Sequence, residues 1–169
     1  MTGAPDTIGV DGWPLLPFSR GTVHIRNNNP FTYPEIRVNP FSVERDMSTQ
    51  IAMTRLIRRL FRTAPLSNLS TGESHPGFCR VPDGPNGGSD ANWRSWIWDE
   101  FIAVTHPVAT CAMMRRSLGG VVDGRLRLYD SANVRIVDAS VMPTQVSAHT
   151  STSLYAIAEK VADMIKNNV

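Results

Sequence analysis

Residues 134–140 read Val-Arg-Ile-Val-Asp-Ala-Ser, and this stretch decides the predicted fold of the 169-residue chain. Val134–Val137 are β-favouring and mostly apolar, which is typical of a buried strand. The strand ends on Asp138, a polar loop follows, and a helix is predicted over Ser153–Lys166 from its apolar period of three to four. Because α/β proteins hold ligands beyond the carboxyl ends of their strands, we expect a ligand site near Asp138.

The residues upstream of this stretch predict a strand pair and a long helix. Thr22–Arg26 and Glu35–Val38 alternate in polarity, and the run Asn-Asn-Asn-Pro between them is a turn signal. The pattern then becomes helical over Glu44–Arg62, with Asp46 or Ser48 expected as its cap.

A loop over residues 63–88 is rich in Gly and Pro, and a loop of this length is usually functional or disordered. Ser89 or Asp90 is then expected to cap a second helix. The expected buried side of the second helix consists of Trp93, Trp96, Ile97, Phe101 and Val104.

A further short strand is predicted downstream of this helix, at Leu126–Leu128.

Composition excludes several classes of function. The net charge is only +2, and the basic residues are scattered, so we expect no nucleic-acid partner. Four arginines at positions 55, 58, 59 and 62 have helical spacing and are expected to form a solvated helix face. No apolar run is long enough to span a membrane, and the first twenty residues lack a signal-peptide pattern, which leaves the localisation open.

Candidate chemistry rests on two histidines, His106 in the run THPVATCAMM and His149 in the loop after Asp138. Each histidine taken alone is more often a satisfied core or loop residue than a catalyst. Zinc bound by His75, Cys79, His106 and Cys111 is disfavoured by irregular spacing, so no metal is expected. A Ser-His-Asp triad lacks the GxSxG nucleophile elbow. The two cysteines are expected to be free thiols.

Four ordered stretches carry a family resemblance: SRGTVHIRNNNPFTYPEIRVNPF, THPVATCAMM, GGVVDGRLRLYDSANVRIVDASVMP and AHTSTSLYAIAEKVADMI. Together they resemble the C-terminal region of glucose–methanol–choline (GMC) oxidoreductases, with fungal glucose oxidase, FAD-dependent glucose dehydrogenase and aryl-alcohol oxidase as the nearest types. The resemblance implies an α+β fold. It would comprise part of an antiparallel-sheet substrate domain (residues 1–104) and an active-site and C-terminal FAD-binding portion (residues 105–169). The latter would contribute the last strand and helix of a Rossmann-like domain.

The resemblance also implies residue roles in the oxidation of an alcohol or a sugar hydroxyl. His106 matches the histidine that accepts the hydroxyl proton while hydride passes to the flavin, and His149 matches the residue that hydrogen-bonds the substrate oxygen. A neutral imidazole suits proton acceptance on chemical grounds. The positions that match FAD contacts are Asp138, Ala139, Thr150 and Ser151.

The sequence departs from the family in one respect, since no GxGxxG dinucleotide fingerprint occurs in it. We therefore expect most of the FAD site to require a missing N-terminal half, either as a preceding segment or as a separate partner chain. This chain alone is expected to expose apolar faces and to be catalytically inactive. The alternatives are a truncated, catalytically inactive fragment and a family member that performs a non-oxidative cyclisation in secondary metabolism.

Overall fold

The structure, a computed structural model, describes residues 7–167 and separates into two compact units. The first unit contains Phe41–Ile102 and the described part of Met1–Pro14. The second contains Leu15–Pro40 and the described part of Ala103–Val169. The expected roles of residues 1–104 and 105–169 in binding substrate and FAD stay predictions.

Two helices build the first unit. Helix α1 spans Glu44–Phe61 and helix α2 spans Asp90–Glu100. Their amphipathic faces meet around an apolar core because each helix has one apolar stripe to bury. The core consists of Met47, Ile51, Val81, Trp93 and Ile97, flanked by Phe41 and Trp96.

The helix ends of the first unit test the expected caps. The Ser89 hydroxyl accepts a hydrogen bond from the Asn92 N–H at 3.2 Å, so the predicted cap of α2 is confirmed. The cap predicted for α1 is wrong, because the N-cap is Val43 and no side chain caps that end. Phe101 and Val104 lie beyond the end of α2 and are exposed, so the buried side of this helix is shorter than expected.

The predicted solvated arginine face holds only in part, because Arg59 and Arg62 are exposed, whereas Arg55 is half-buried and Arg58 is buried. Arg55 donates to the Gly88 carbonyl and to Asp90, both at 2.6 Å, and Arg62 donates to Asp83 at 3.1 Å. The guanidinium groups thus donate to a backbone carbonyl and to a carboxylate of the loop that follows α1. The loop therefore packs against α1.

The second unit begins with a hairpin. Strands β1 (Thr22–His24) and β2 (Glu35–Arg37) pair antiparallel, with Val23 opposite Ile36. Both predicted strands are confirmed in shorter form. A Cβ on Gly21 would lie 2.3 Å from the Arg37 carbonyl oxygen, so the close approach of the two chains requires glycine there.

Helix α3 spans Ser151–Lys166 and closes the core of the second unit. It begins earlier than predicted, and its N-cap, Thr150, makes no side-chain capping bond. The core contains Val122, Leu126, Val141 and Val161, with Val121, Ile136 and Ile157 packed against them.

The strands predicted at Leu126–Leu128 and Val134–Val137 are wrong. The two segments meet only at an isolated antiparallel bridge between Arg127 and Arg135. Leu126 has a φ of +58°, a left-handed conformation that interrupts an extended strand. A buried strand also needs a neighbour on each side, and Val134 and Val137 are instead exposed.

Large apolar side chains are exposed on the hairpin, as expected from the sequence. Phe31, Tyr33 and Ile25 are each 88–91% exposed. Surfaces of this kind reduce solubility unless another surface covers them. Within residues 7–167, no helix is long and apolar enough to cross a membrane.

Candidate functional site

The segment that carries His106 is tied by backbone hydrogen bonds to the loop that follows Asp138. The Cys111 N–H donates to the Ser140 carbonyl at 3.0 Å, and the Met113 N–H donates to the Val141 carbonyl at 2.8 Å. Residues 139–141 form a short 3₁₀ helix. These bonds align the two segments side by side, although neither forms a regular strand.

His149 lies at the end of the second segment, close to the start of α3, and its ring meets that of His106. The two ring centroids are 5.2 Å apart, and the ring planes are inclined by 80°. His106 is half-buried, whereas His149 is exposed. Residues 43 positions apart in sequence (149 − 106) are thus brought into edge-to-face contact. Each imidazole can accept or donate a proton through its ring nitrogens, and the contact places two such groups beside each other.

A third residue, Gln145, belongs to this site and was missed by the sequence argument. Its side-chain amide donates a hydrogen bond to the backbone carbonyl of His106. Gln145 is half-buried in the loop between the 3₁₀ helix and α3. No motif or spacing marks such a contact, because its acceptor is a main-chain atom that any residue at position 106 would offer.

Three of the four positions matched to FAD contacts line one groove. The groove has a volume of about 380 Å³, and Asp138, Ala139 and Ser151 contribute to its wall. The Asp138 carboxylate accepts a hydrogen bond from the Ser140 N–H at 2.7 Å, so it also caps the 3₁₀ helix. The fourth position, Thr150, is buried, with 6% exposure, and does not line the groove.

The alternative of a zinc site is not supported by the positions of the described residues. In residues 7–167, no three His, Cys, Asp or Glu side chains are grouped so that they could hold a metal ion. His75 instead stands edge-on to Trp96 at 5.4 Å and lies 3.8 Å from Glu100. Cys79 and Cys111 are both free cysteines, as the sequence predicts.

Comparison with known families decides the classification. Residues 17–158 match the family model described as GMC oxidoreductase, which is most of the chain. The chain belongs to the GMC oxidoreductase family. This confirms the resemblance seen in the sequence, and the family is one of FAD-dependent flavoproteins.

The curated relatives of this GMC chain include fungal proteins. The chain is 38% identical over 154 residues to the glucose oxidase-like protein fsoC of Humicola fuscoatra, covering 91% of this chain and 25% of that protein. It is 39% identical over 163 residues to glucose oxidase 1 of Penicillium expansum, covering 94% and 25%. The chain therefore spans about a quarter of the length of the curated relatives that it matches.

Solved structures agree with the GMC assignment. An FAD-dependent oxidoreductase from Chaetomium thermophilum superposes with a TM-score of 0.80 at 32% identity, covering 91% of this chain and 26% of that one. A formate oxidase of Aspergillus oryzae RIB40 gives a TM-score of 0.80 at 29% identity, covering 90% and 26%. The alignment extends over both compact units, which supports the α+β architecture of helices and a two-stranded antiparallel sheet.

Proposed function

We propose that this chain supplies the proton-accepting histidine pair and one wall of the flavin site in an FAD-dependent oxidation of an alcohol or sugar hydroxyl. The observation that carries the proposal is the contact between His106 and His149, with ring centroids 5.2 Å apart, in a chain of the GMC family. The names of the fungal relatives, glucose oxidases among them, support a sugar or related alcohol as substrate.

His106 is the proton acceptor in this proposal. A neutral imidazole nitrogen takes the proton from the substrate hydroxyl as the carbon–oxygen double bond forms. Its half-buried position limits access of water to the ring, while the ring of His149 is exposed. His149 donates a hydrogen bond to that oxygen and stabilises the negative charge that develops on it. Bound FAD would supply the acceptor for the hydride of the substrate carbon.

The groove beside Asp138 fits a part of FAD. Its wall combines the polar groups of Asp138 and Ser151 with the apolar side chains of Val137, Leu154 and Ile157, as a cofactor with flat apolar rings and a polar chain requires. The buried Ser140 Oγ has no hydrogen-bond partner among the described residues, so a donor or acceptor is available next to this wall. The first N–H groups of α3 face outward along the helix axis and favour a negative or carbonyl oxygen.

The remainder of the cofactor is held outside these 169 residues in our proposal. The sequence has no GxGxxG turn, which is the element that binds the pyrophosphate in dinucleotide folds. The proposal assigns α3 and the preceding loop to the C-terminal part of a Rossmann-like FAD domain. A dinucleotide-binding region of a GMC protein, as a preceding segment or as a partner chain, would complete the site.

A hybrid protein tests the proposal. Residues 17–158 replace the matching region of Penicillium expansum glucose oxidase 1, to which the chain is 39% identical. Absorbance of bound flavin first establishes that the hybrid retains FAD. Anaerobic stopped-flow reduction of the flavin by glucose and by a panel of alcohols then measures the chemical step.

His106→Ala is expected to slow flavin reduction about 10²–10⁴-fold, because a general base contributes that range. His24→Ala is the matched control, since His24 is an exposed histidine of strand β1 in the same unit. Reduction at the parental rate in the flavin-containing His106→Ala hybrid would overturn the proposal. Flavin binding with no reduction of any substrate by the parent hybrid would favour a non-oxidative use of the site.

A further inference from the structure

The side chain of Gln145 connects the loop before α3 to the backbone of His106. Its amide N–H donates to the His106 carbonyl oxygen across 39 positions of sequence (145 − 106). Backbone bonds from Cys111 and Met113 also connect the two segments, but they lie further along the chain. The Gln145 bond therefore fixes the segment at the histidine itself.

The backbone around His106 needs such a restraint. Thr105 has a φ of +57° and Ala109 a φ of +72°, both in the left-handed region that residues with a Cβ rarely adopt. Conformations of this kind persist only where neighbouring contacts hold them in place. The Gln145 amide donates to the carbonyl oxygen of His106, which lies between these two strained residues in the sequence.

The same loop also carries His149, so one glutamine couples the positions of both rings. His149 follows Gln145 by four residues (149 − 145), and its ring lies against that of His106. A displacement of His106 relative to this loop would change the separation of the two imidazoles directly. Misplacement of a reacting group by about 1 Å is enough to cost about 10²-fold in rate.

We propose that Gln145 is a positioning residue that sets the separation of His106 and His149 by donating its side-chain amide hydrogen to the His106 carbonyl. The inference rests on the proposed function for its effect on rate, but the geometric part stands independently. Gln145 touches neither substrate nor cofactor in this role, and it acts through His106.

Two substitutions separate the hydrogen bond from the space that the side chain fills. Gln145→Met keeps the length of the side chain and removes the donor. Gln145→Glu keeps the shape, and its carboxylate opposes the His106 carbonyl when ionised, whereas its protonated form donates an O–H. Gln50→Met is the matched control, because the Gln50 amide donates to the Gly12 carbonyl at 2.9 Å in the first unit.

The first measurement uses the full 169-residue chain and requires no activity. Nuclear Overhauser contacts between the ring protons of His106 and His149 are expected in the unsubstituted chain and in Gln50→Met. They are expected to be lost or weakened several-fold in Gln145→Met. Undiminished ring contacts in a folded Gln145→Met chain would overturn the inference.

The second measurement uses the FAD-containing hybrid. Gln145→Met is expected to slow flavin reduction about 10–100-fold with little change in flavin content, while Gln50→Met reduces at the parental rate. The rate of Gln145→Glu relative to Gln145→Met is expected to rise as the pH falls through the carboxyl pKa, about 4.3 when unperturbed. A constant ratio across that range would count against the hydrogen bond.

The two proposals fail in different ways. If the ring contacts disappear in Gln145→Met but His106→Ala leaves reduction unchanged, Gln145 positions the pair and the proposed catalytic role is wrong. If His106→Ala slows reduction and Gln145→Met leaves both the rate and the ring contacts intact, the catalytic role stands and the positioning role is wrong.

Discussion

Arg58 and Glu73 form a bidentate ion pair inside the first unit, with nitrogen–oxygen distances of 2.8 and 2.6 Å. The Arg58 side chain is only 2% exposed and that of Glu73 19%. The same guanidinium donates to the carbonyls of Gly87 and Val81 and lies 4.5 Å over the ring of Trp93. One buried cation thus joins α1, the following loop and α2.

Arg58→Met is expected to destabilise the first unit by about 3 kcal/mol, because removing one partner of a buried pair leaves the other charge and two carbonyls without their donor. Tryptophan fluorescence in a urea titration measures this unit selectively, since Trp13, Trp93, Trp96 and Trp98 all belong to it.

Arg62→Met is the control for this experiment. Arg62, the C-cap of α1, pairs with Asp83 of the following loop; the two side chains are 42% and 46% exposed, and exposed pairs contribute about 0–1 kcal/mol. An equal loss of stability in the two variants would contradict the special role of Arg58.

The helices and the hairpin of this chain were predicted from the sequence better than the tertiary contacts around them. The helices and the hairpin followed from apolar period and turn signals, which are local properties. Arg58 was assigned to a solvated face, because helical spacing does not show that a distant loop will fold over it. The strand at Val134–Val137 was predicted from composition, but strand formation also depends on neighbouring strands and on the φ of Leu126.

The site shows the same division. His106 and His149 were identified through motifs, and the structure brings their rings together. Asp138, Ala139 and Ser151 line one groove, whereas Thr150 is buried beside it. Gln145 had no sequence signal, since its contact is made to a main-chain oxygen. Motifs therefore indicated the two histidines, whereas the contact of Gln145 with His106 became visible only in the tertiary structure.

Gly120 is expected to tolerate no side chain. A Cβ at this position would lie 2.0 Å from the Met114 carbonyl oxygen and 2.5 Å from its carbon, both backbone atoms that follow the His106 segment. Gly120→Ala is expected to destabilise the second unit by about 1–3 kcal/mol, as forced overpacking does. Gly124→Ala is the control, because nothing lies within 4 Å of a Cβ there. Thermal unfolding followed by circular dichroism compares the two variants. Equal unfolding midpoints would show that the backbone at Met114 can shift to accommodate the added methyl group.

Asp123 is expected to make the turn of residues 123–127 pH-sensitive. Its partial burial raises the pKa of the carboxyl, but hydrogen bonds from the N–H groups of Arg127 and Arg125, at 2.9 and 2.8 Å, outweigh burial and hold the pKa below its usual value. A lowered folded-state pKa means that the stabilisation is present above the unfolded value, about 3.9, and is lost as pH falls through the folded value.

Hydrogen exchange of the Arg125 and Arg127 amides measures this effect. At pH 6, Asp123→Asn is expected to reduce their protection about fivefold, since the neutral amide is a weaker acceptor than the carboxylate. The difference from the unsubstituted chain should shrink once the pH falls below about 4. Asp130→Asn is the control, because the Arg116–Asp130 pair is exposed. A difference that is independent of pH would contradict the carboxylate explanation.

His149 is expected to act by donating a hydrogen bond. Two substitutions distinguish this role from simple filling of space by the side chain. In the FAD-containing hybrid, His149→Ala removes the donor and should slow flavin reduction about 10²–10³-fold, as the loss of one oxyanion donor does. His149→Asn retains an amide N–H in the same loop and should lose less rate than His149→Ala. The ring of His106, 5.2 Å away, remains in both variants, so proton acceptance is preserved. Anaerobic stopped-flow measurements at saturating substrate compare the two rates, and equal losses in the alanine and asparagine variants would rule out donation as the role of His149.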